Sequence, residues 1–129
     1  NGLCALVGAA DPAAQTSPRY ELLCSRGVPI YDTPEAFFAE HTADICCIAA
    51  PIQFHTPYSL TALKYGCHVL CEKPMATTLE DCEAMVAAAK QAGKRLMIGQ
   101  NQRLAKAHQV AKQLMATLSL AILTTIVMR

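Results

Sequence analysis

Short apolar runs bounded by turn residues alternate along this chain with longer stretches whose apolar positions recur every three or four residues. The short runs are Leu3 to Ala9, Val28 to Tyr31, Ile45 to Ala49, His68 to Cys71, Arg95 to Ile98 and Ala121 to Met128. They read as strands. Ser17 to Ser25 reads as a helix, with Ser17 as N-cap, Pro18 at the first helical position and Gly27 past the end. Thr33 caps a helix begun by Pro34 and running to about His41. His55-Thr56-Pro57 opens another, which reaches about Tyr65 and stops at Gly66. Thr78-x-x-Asp81 is a capping box, and the helix after it places Leu79, Cys82, Met85, Val86 and Ala89 on one face before Gly93 ends it. Lys106 to about Thr117 is the last helix, with Val110 and Leu114 one turn apart.

The resulting β-α-β-α order predicts an α/β fold, a doubly wound parallel sheet of Rossmann-like type. Ile45 to Ala49 is apolar without interruption, which predicts a strand buried on both faces. A dinucleotide-binding sheet opens with a strand and G-x-G-x-x-G, and no such motif is present in the sequence. Placing Leu3 to Val7 as that first strand leaves Gly8 as a lone glycine and sets Asp11 against a pyrophosphate of like charge. Asp11 fits better at the end of the second strand, where a carboxylate accepts hydrogen bonds from the adenosine ribose. Its other reading is a turn residue before Pro12. On the ribose reading the first strand is lacking. In the order 3-2-1-4-5-6 its loss cuts the sheet in two and leaves two unpaired edges. An N-terminal segment beyond these residues, or another element, is expected to fill that gap.

The 129 residues are 53% hydrophobic and 16% charged, enough for a core. A net charge of +1, with basic residues scattered, gives no support for a nucleic-acid partner or an anionic membrane. No signal peptide is visible. The apolar stretch Leu114 to Met128 spans 15 residues and carries Thr117, Ser119, Thr124 and Thr125; a bilayer needs about 20. Seven cysteines, with no C-x-x-C pair, read as reduced thiols of a cytoplasmic protein and give no metal site.

The densest chemistry is Glu72-Lys73-Pro74, directly after the strand His68 to Cys71. A carboxylate, an amine and a rigid turn thereby reach the carboxyl edge of a parallel sheet, where ligands of such sheets bind. Together with Asp44-Ile45-Cys46-Cys47-Ile48-Ala49-Ala50-Pro51, His55, Gly66-Cys67-His68-Val69-Leu70-Cys71 and Gly99-Gln100-Asn101-Gln102-Arg103, this segment resembles the Gfo/Idh/MocA oxidoreductases. The likeness runs from about Leu3 to Arg103.

The resemblance implies a partial dinucleotide-binding domain over residues 1–103 and the start of an α+β substrate and oligomerisation domain over 104–129. It implies hydride transfer between a nicotinamide cofactor and a sugar, polyol or related carbonyl, in a homo-oligomer. Lys73 would be the catalytic residue at the nicotinamide, stabilising alkoxide charge or shuttling a proton. Glu72 would meet the cofactor through its backbone, and Pro74 would be cis. Ala50 and Pro51 would pass the cofactor by backbone, and His55, at the next helix start, would be a further cofactor-binding residue, with capping or packing as its other reading. Asn101 and Arg103 would enter the substrate cleft. Asp11 points to NAD, since a carboxylate repels a 2′-phosphate, with NADP still open. Ile52 stands where relatives often carry a small polar residue, and the family's acid–base Asp and His belong to a helix outside this sequence. A non-catalytic nucleotide-binding or structural Rossmann module is the alternative reading.

Overall fold

The structure, a computed structural model, describes residues 4–117. The strand expected at Ala121 to Met128 lies outside them. The described chain forms β1 (Ala9–Ala10), α1 (Tyr20–Ser25), β2 (Ile30–Tyr31), α2 (Pro34–Glu40), β3 (Ile45–Ile48), α3 (His55–Lys64), β4 (His68–Cys71), α4 (Leu79–Gln91), β5 (Leu96–Ile98) and α5 (Lys106–Thr117). It divides into two compact units, residues 1–99 and 100–129.

All strand pairs are parallel. They form two separate sheets, β1-β2 and β3-β4-β5. The expected break in the sheet is therefore present. One edge of β1 and one edge of β3 have no strand partner among the described residues. A groove of about 680 Å³ separates them, lined by residues 5–12 on one side and 45–51 on the other.

Local signals hold where the chain supplies both partners. The Thr33 Oγ1 accepts from the Ala36 N–H at 3.2 Å and the Thr78 Oγ1 from the Asp81 N–H at 3.1 Å, so both caps form as read. Gly27, Gly66 and Gly93 take φ of 69°, 80° and 62°, which lets the chain leave each helix in the left-handed conformation.

Four expectations need correction. The first strand is ordered as a ladder only at Ala9–Ala10, where the Ala9 N–H reaches the Pro29 carbonyl at 3.0 Å and the Asp11 N–H the Tyr31 carbonyl at 2.8 Å. The open groove offers its other edge no ladder, so residues 4–8 are not strand. Helix α1 begins at Tyr20, not Ser17, because Ser17 closes a turn: its Oγ accepts from the Arg19 N–H at 3.2 Å and its carbonyl from Tyr20 at 3.0 Å. The face of α4 is rotated from the one expected. Met85 and Ala89 are buried, while Leu79 and Val86 are exposed by 69% and 41%.

Strand β3 is the fourth, for it is not buried on both faces. Ile48 is 5% exposed, yet Ile45 is 61% exposed and Cys47 is also open. Cys47 pairs with Leu70, and Leu70 with Met97, so the exposed row continues across the sheet. Helices α3 and α4 pack on these strands, and the core is Ala62, Leu63, Cys67, Val69, Cys71, Met85 and Ala89. The pleat turns alternate residues to the two faces. The apolar run of β3 therefore reflects a sheet with one face packed and one uncovered among the described residues.

Gly8 carries no phosphate turn. A Cβ there would collide with the Phe37 ring, whose Cδ2 would lie 2.7 Å away, so glycine allows the chain to cross α2 closely. Tyr31 ties β2 to the end of α2. Its hydroxyl donates to Glu40 Oε2 at 2.8 Å and lies 2.8 Å from His41 Nε2.

All seven cysteines are free. Burial, followed by the neighbouring thiols of Cys67, Cys47 and Cys71, pushes Cys46 from its ordinary 9.0 up to about 11. The unfolded thiol loses its proton near 9.0 and the folded one near about 11, so this contribution to stability is intact below the first value and declines between them. In a thiol-labelling experiment on the folded protein at mildly alkaline pH, the exposed Cys4, Cys24 and Cys47 are expected to react at once. The buried Cys67 and Cys71 should react only with unfolding, and the half-buried Cys46 more slowly than the exposed three. Labelling of Cys67 or Cys71 as fast as Cys47 without unfolding would contradict their burial.

Candidate functional site

The polar chemistry collects where strands end. Asp11 follows β1, Ala50-Pro51 follow β3, Glu72-Lys73-Pro74 follow β4 and Gly99 follows β5. Because β3, β4 and β5 are parallel and in register, the last three groups share one edge of their sheet. Asp11 and the Ala50-Pro51 pair both line the groove between the two sheets.

Asp11 is exposed, and its Oδ1 accepts from the Ala13 N–H at 2.8 Å. It is thus a turn residue, as one reading had it, and its carboxylate still lies open to a ligand. Ala50 is half-buried and Pro51 exposed. Pro51 also begins a short helical turn over Ile52–Phe54, which leads into α3.

The Glu-Lys-Pro turn is built by its own backbone. The Glu72 N–H donates to the Ile48 carbonyl at 2.9 Å, which locks the turn to β3. The Glu72 carboxylate then folds back, and its Oε2 accepts from the Lys73 N–H at 3.2 Å. The Lys73–Pro74 peptide is cis. Lys73 itself is exposed. Gly99 sits under this turn. Its N–H donates to the Cys71 carbonyl at 2.7 Å, and an added Cβ would lie 3.4 Å from Glu72 Oε2 and 3.5 Å from that carbonyl. A Cβ at position 99 would therefore make ordinary contact with the carboxylate that braces Lys73.

His55 is 2% exposed, with Nδ1 2.8 Å from the Pro74 carbonyl oxygen and Nε2 2.9 Å from that of Ala50. Its ring faces the main chain of two loops. Asn101 and Arg103 stand in a short helical turn, Asn101–Leu104, of the second compact unit. Both are exposed.

One pair was missed. Phe54 and Tyr58 stack at 5.3 Å and 15°, and both line the groove beside Pro51. Their aromatic i, i+4 spacing across a helix start was the available signal. Among the described residues, no group of three or more His, Cys, Asp or Glu side chains is placed to hold a metal, and no helix is long and apolar enough to cross a membrane.

Comparison with known proteins gives a consistent result. The profile described as "Oxidoreductase family, NAD-binding Rossmann fold" (Gfo/Idh/MocA) matches residues 2–100. The D-glucoside 3-dehydrogenase of Escherichia coli (strain K12) is 37% identical over 76 residues, which are 59% of this chain and 22% of that protein. The inositol 2-dehydrogenase of Paracoccus denitrificans (strain Pd 1222) is 38% identical over 68 residues, 53% of this chain and 20% of that one. Among solved structures, the WlbA dehydrogenase of Bordetella pertussis, in complex with NADH and UDP-GlcNAcA, superposes with a TM-score of 0.74 at 26% identity. That match covers 85% of this chain and 32% of the dehydrogenase. The chain thus spans about a fifth of these curated relatives.

Proposed function

The chain belongs to the Gfo/Idh/MocA oxidoreductase family with its NAD-binding Rossmann fold, and from that premise we propose that the whole protein transfers a hydride between NAD and a sugar, polyol or related carbonyl compound. The observation that carries this reading is Lys73: an exposed amine at the carboxyl edge of a parallel sheet, on a turn fixed by the bonds of Glu72 to Ile48 and of Lys73 to Glu72.

The residues present fit the cofactor. Asp11 offers an open carboxylate at the end of β1 for the ribose hydroxyls, and an uncharged main-chain edge runs through Ala50 and Pro51. Bound NAD supplies the hydride acceptor. Lys73 supplies the positive charge. In the direction of carbonyl reduction its ammonium would offset the alkoxide charge that builds on the substrate oxygen as hydride arrives at carbon, and would give that oxygen a proton; in the direction of oxidation the neutral amine would take the hydroxyl proton as the hydride leaves. Glu72 fixes where Lys73 stands, and its carboxylate keeps the Lys73 main chain turned toward the edge. Asn101 and Arg103 have the polar chemistry to contact substrate hydroxyls, with Arg103 suited to bidentate bonds. The free thiols fit a cytoplasmic setting, and a homo-oligomer is the assembly we propose.

Incubating the whole protein with NAD and a panel of sugars and polyols tests the reading. NADH formation with at least one member is expected. NADH binding without turnover on any of them would instead favour a non-catalytic nucleotide-binding module.

A further inference from the structure

Two loops approach the carboxyl edge of the sheet, and one buried side chain stands between them. The first loop, Ala50-Pro51, leaves β3; the second, Glu72-Lys73-Pro74, leaves β4. Strand pairing sets their starting points, because Ile48 is in register with Cys71 and the Glu72 N–H bonds to the Ile48 carbonyl. Beyond that point the ladder stops. The His55 ring then spans the space, with Nδ1 2.8 Å from the carbonyl oxygen of Pro74 and Nε2 2.9 Å from that of Ala50. Both distances lie within hydrogen-bond range, and which nitrogen carries the hydrogen depends on the tautomer.

A carbonyl oxygen only accepts, so a neutral ring donates to one of the two carbonyls and packs its other nitrogen against the second, whereas an imidazolium donates to both. With 2% of its surface exposed, the ring has little water to turn to. Carbonyls that lost it would be left facing a buried gap. His55 begins α3, whose Ala62 and Leu63 lie in the core, so its backbone is anchored and the ring can act as a strut.

We propose that His55 is a positioning residue for hydride transfer: its ring fixes the Lys73 turn against the Ala50-Pro51 loop and so holds the amine in register with the main-chain edge that meets the cofactor. This rests on the reading of Lys73 and of that edge given above. The two ring nitrogens have separate tasks. The Nδ1 side sets the turn that bears Lys73, and the Nε2 side sets the cofactor-facing loop.

The test uses substitutions that keep one nitrogen each. In His55→Asn the side-chain amide nitrogen falls near the position of Nδ1, and in His55→Gln near that of Nε2; His55→Ala keeps neither. Amide hydrogen exchange in the whole protein is read at Lys73, whose N–H bonds to Glu72, and at Phe54, whose N–H bonds to the Pro51 carbonyl at 2.8 Å. His55→Gln should speed exchange at Lys73 and spare Phe54, and His55→Asn the reverse. His55→Ala should speed both, with amides of β5 and α4 unchanged. In turnover with NAD, His55→Gln should lower kcat about tenfold to a hundredfold with KM for NAD nearly unchanged, the size expected when a reacting group is misplaced by a fraction of an ångström to one ångström. His55→Asn should chiefly raise KM for NAD. Uniform acceleration of exchange across the domain, or no change at either amide, would overturn the proposal and leave His55 as ordinary core packing. If the unsubstituted protein gives no NADH, the oxidoreductase reading fails by itself, while the exchange pattern still reports whether the ring joins the two loops.

Discussion

Replacing Lys73 with Ala is expected to lower kcat by about a hundredfold to ten-thousandfold, the range for removing a group that handles a proton and offsets developing charge. Lys73 contributes most in the transition state, where the substrate oxygen has alkoxide character and its proton is in transit. Its loss should therefore fall on kcat and leave the affinity for NADH close to that of the unsubstituted protein. Lys73 is exposed and lies outside the buried cluster, so the melting temperature should hardly move. Arg at this position keeps the charge but spreads it over a planar, wider group on a different stem, and full recovery is not expected. Steady-state kinetics with an NADH titration on the same samples checks all three points. Turnover within a factor of about two of the unsubstituted rate would remove Lys73 from the chemistry.

The second large effect concerns Asp11 and the choice of cofactor. On the proposed reading, the open Asp11 carboxylate at the end of β1 would accept hydrogen bonds from ribose hydroxyls and repel a 2′-phosphate. Asp11→Ala should weaken NAD binding by about tenfold to a hundredfold, as expected when a charged partner of a hydrogen bond is lost. It should weaken NADP binding little or even strengthen it, so that the preference narrows from both sides. The Asp11 Oδ1 also closes the turn to Ala13 at 2.8 Å. Asp11→Asn keeps an oxygen for that turn while removing the charge. If Asn reproduces the change in cofactor preference, charge is the cause; if only Ala does, the turn is.

What could be read from the residue order alone follows from where each partner lies in the chain. The caps at Thr33 and Thr78 were legible because the N–H groups they accept from are three residues away, at Ala36 and Asp81. The exits at Gly27, Gly66 and Gly93 were legible because the left-handed conformation is a local demand. Lys73 stood out because Glu and Pro flank it at the end of an apolar run.

Features that depend on distant neighbours were not legible in this way. The extent of β1 is set by which edge finds a ladder, and only the Ile30–Tyr31 side does. The apolar residues of β3 gave no hint that Ile45 and Cys47 would be open, since exposure depends on what covers the other face. The two partners of His55 are main-chain oxygens 5 and 19 residues away in sequence, and a carbonyl carries no side-chain signature. The glycine at 99 was noticed as part of a motif, but its place beside the Glu72 carboxylate and the Cys71 carbonyl appears only in three dimensions.

The break in the sheet connects the two kinds of feature. Its position was deduced from Asp11 and the strand order, and the structure shows two parallel sheets with a groove between them. The proposed cofactor edge borders that groove through Asp11, Ala50 and Pro51. The part of the site that grips a pyrophosphate is not found among the described residues, whereas the residues that would face the ribose and the nicotinamide are.

Isotope transfer tests the central claim most directly. The whole protein is given NAD and whichever sugar or polyol yields NADH, with deuterium placed at the carbon that is oxidised, and the reduced cofactor is weighed by mass spectrometry. Direct hydride transfer beside Lys73 predicts that NADH acquires one deuterium per turnover, and that the signal collapses in Lys73→Ala while NADH binding persists. Reduced cofactor without the label, or label transfer undiminished in Lys73→Ala, would contradict it.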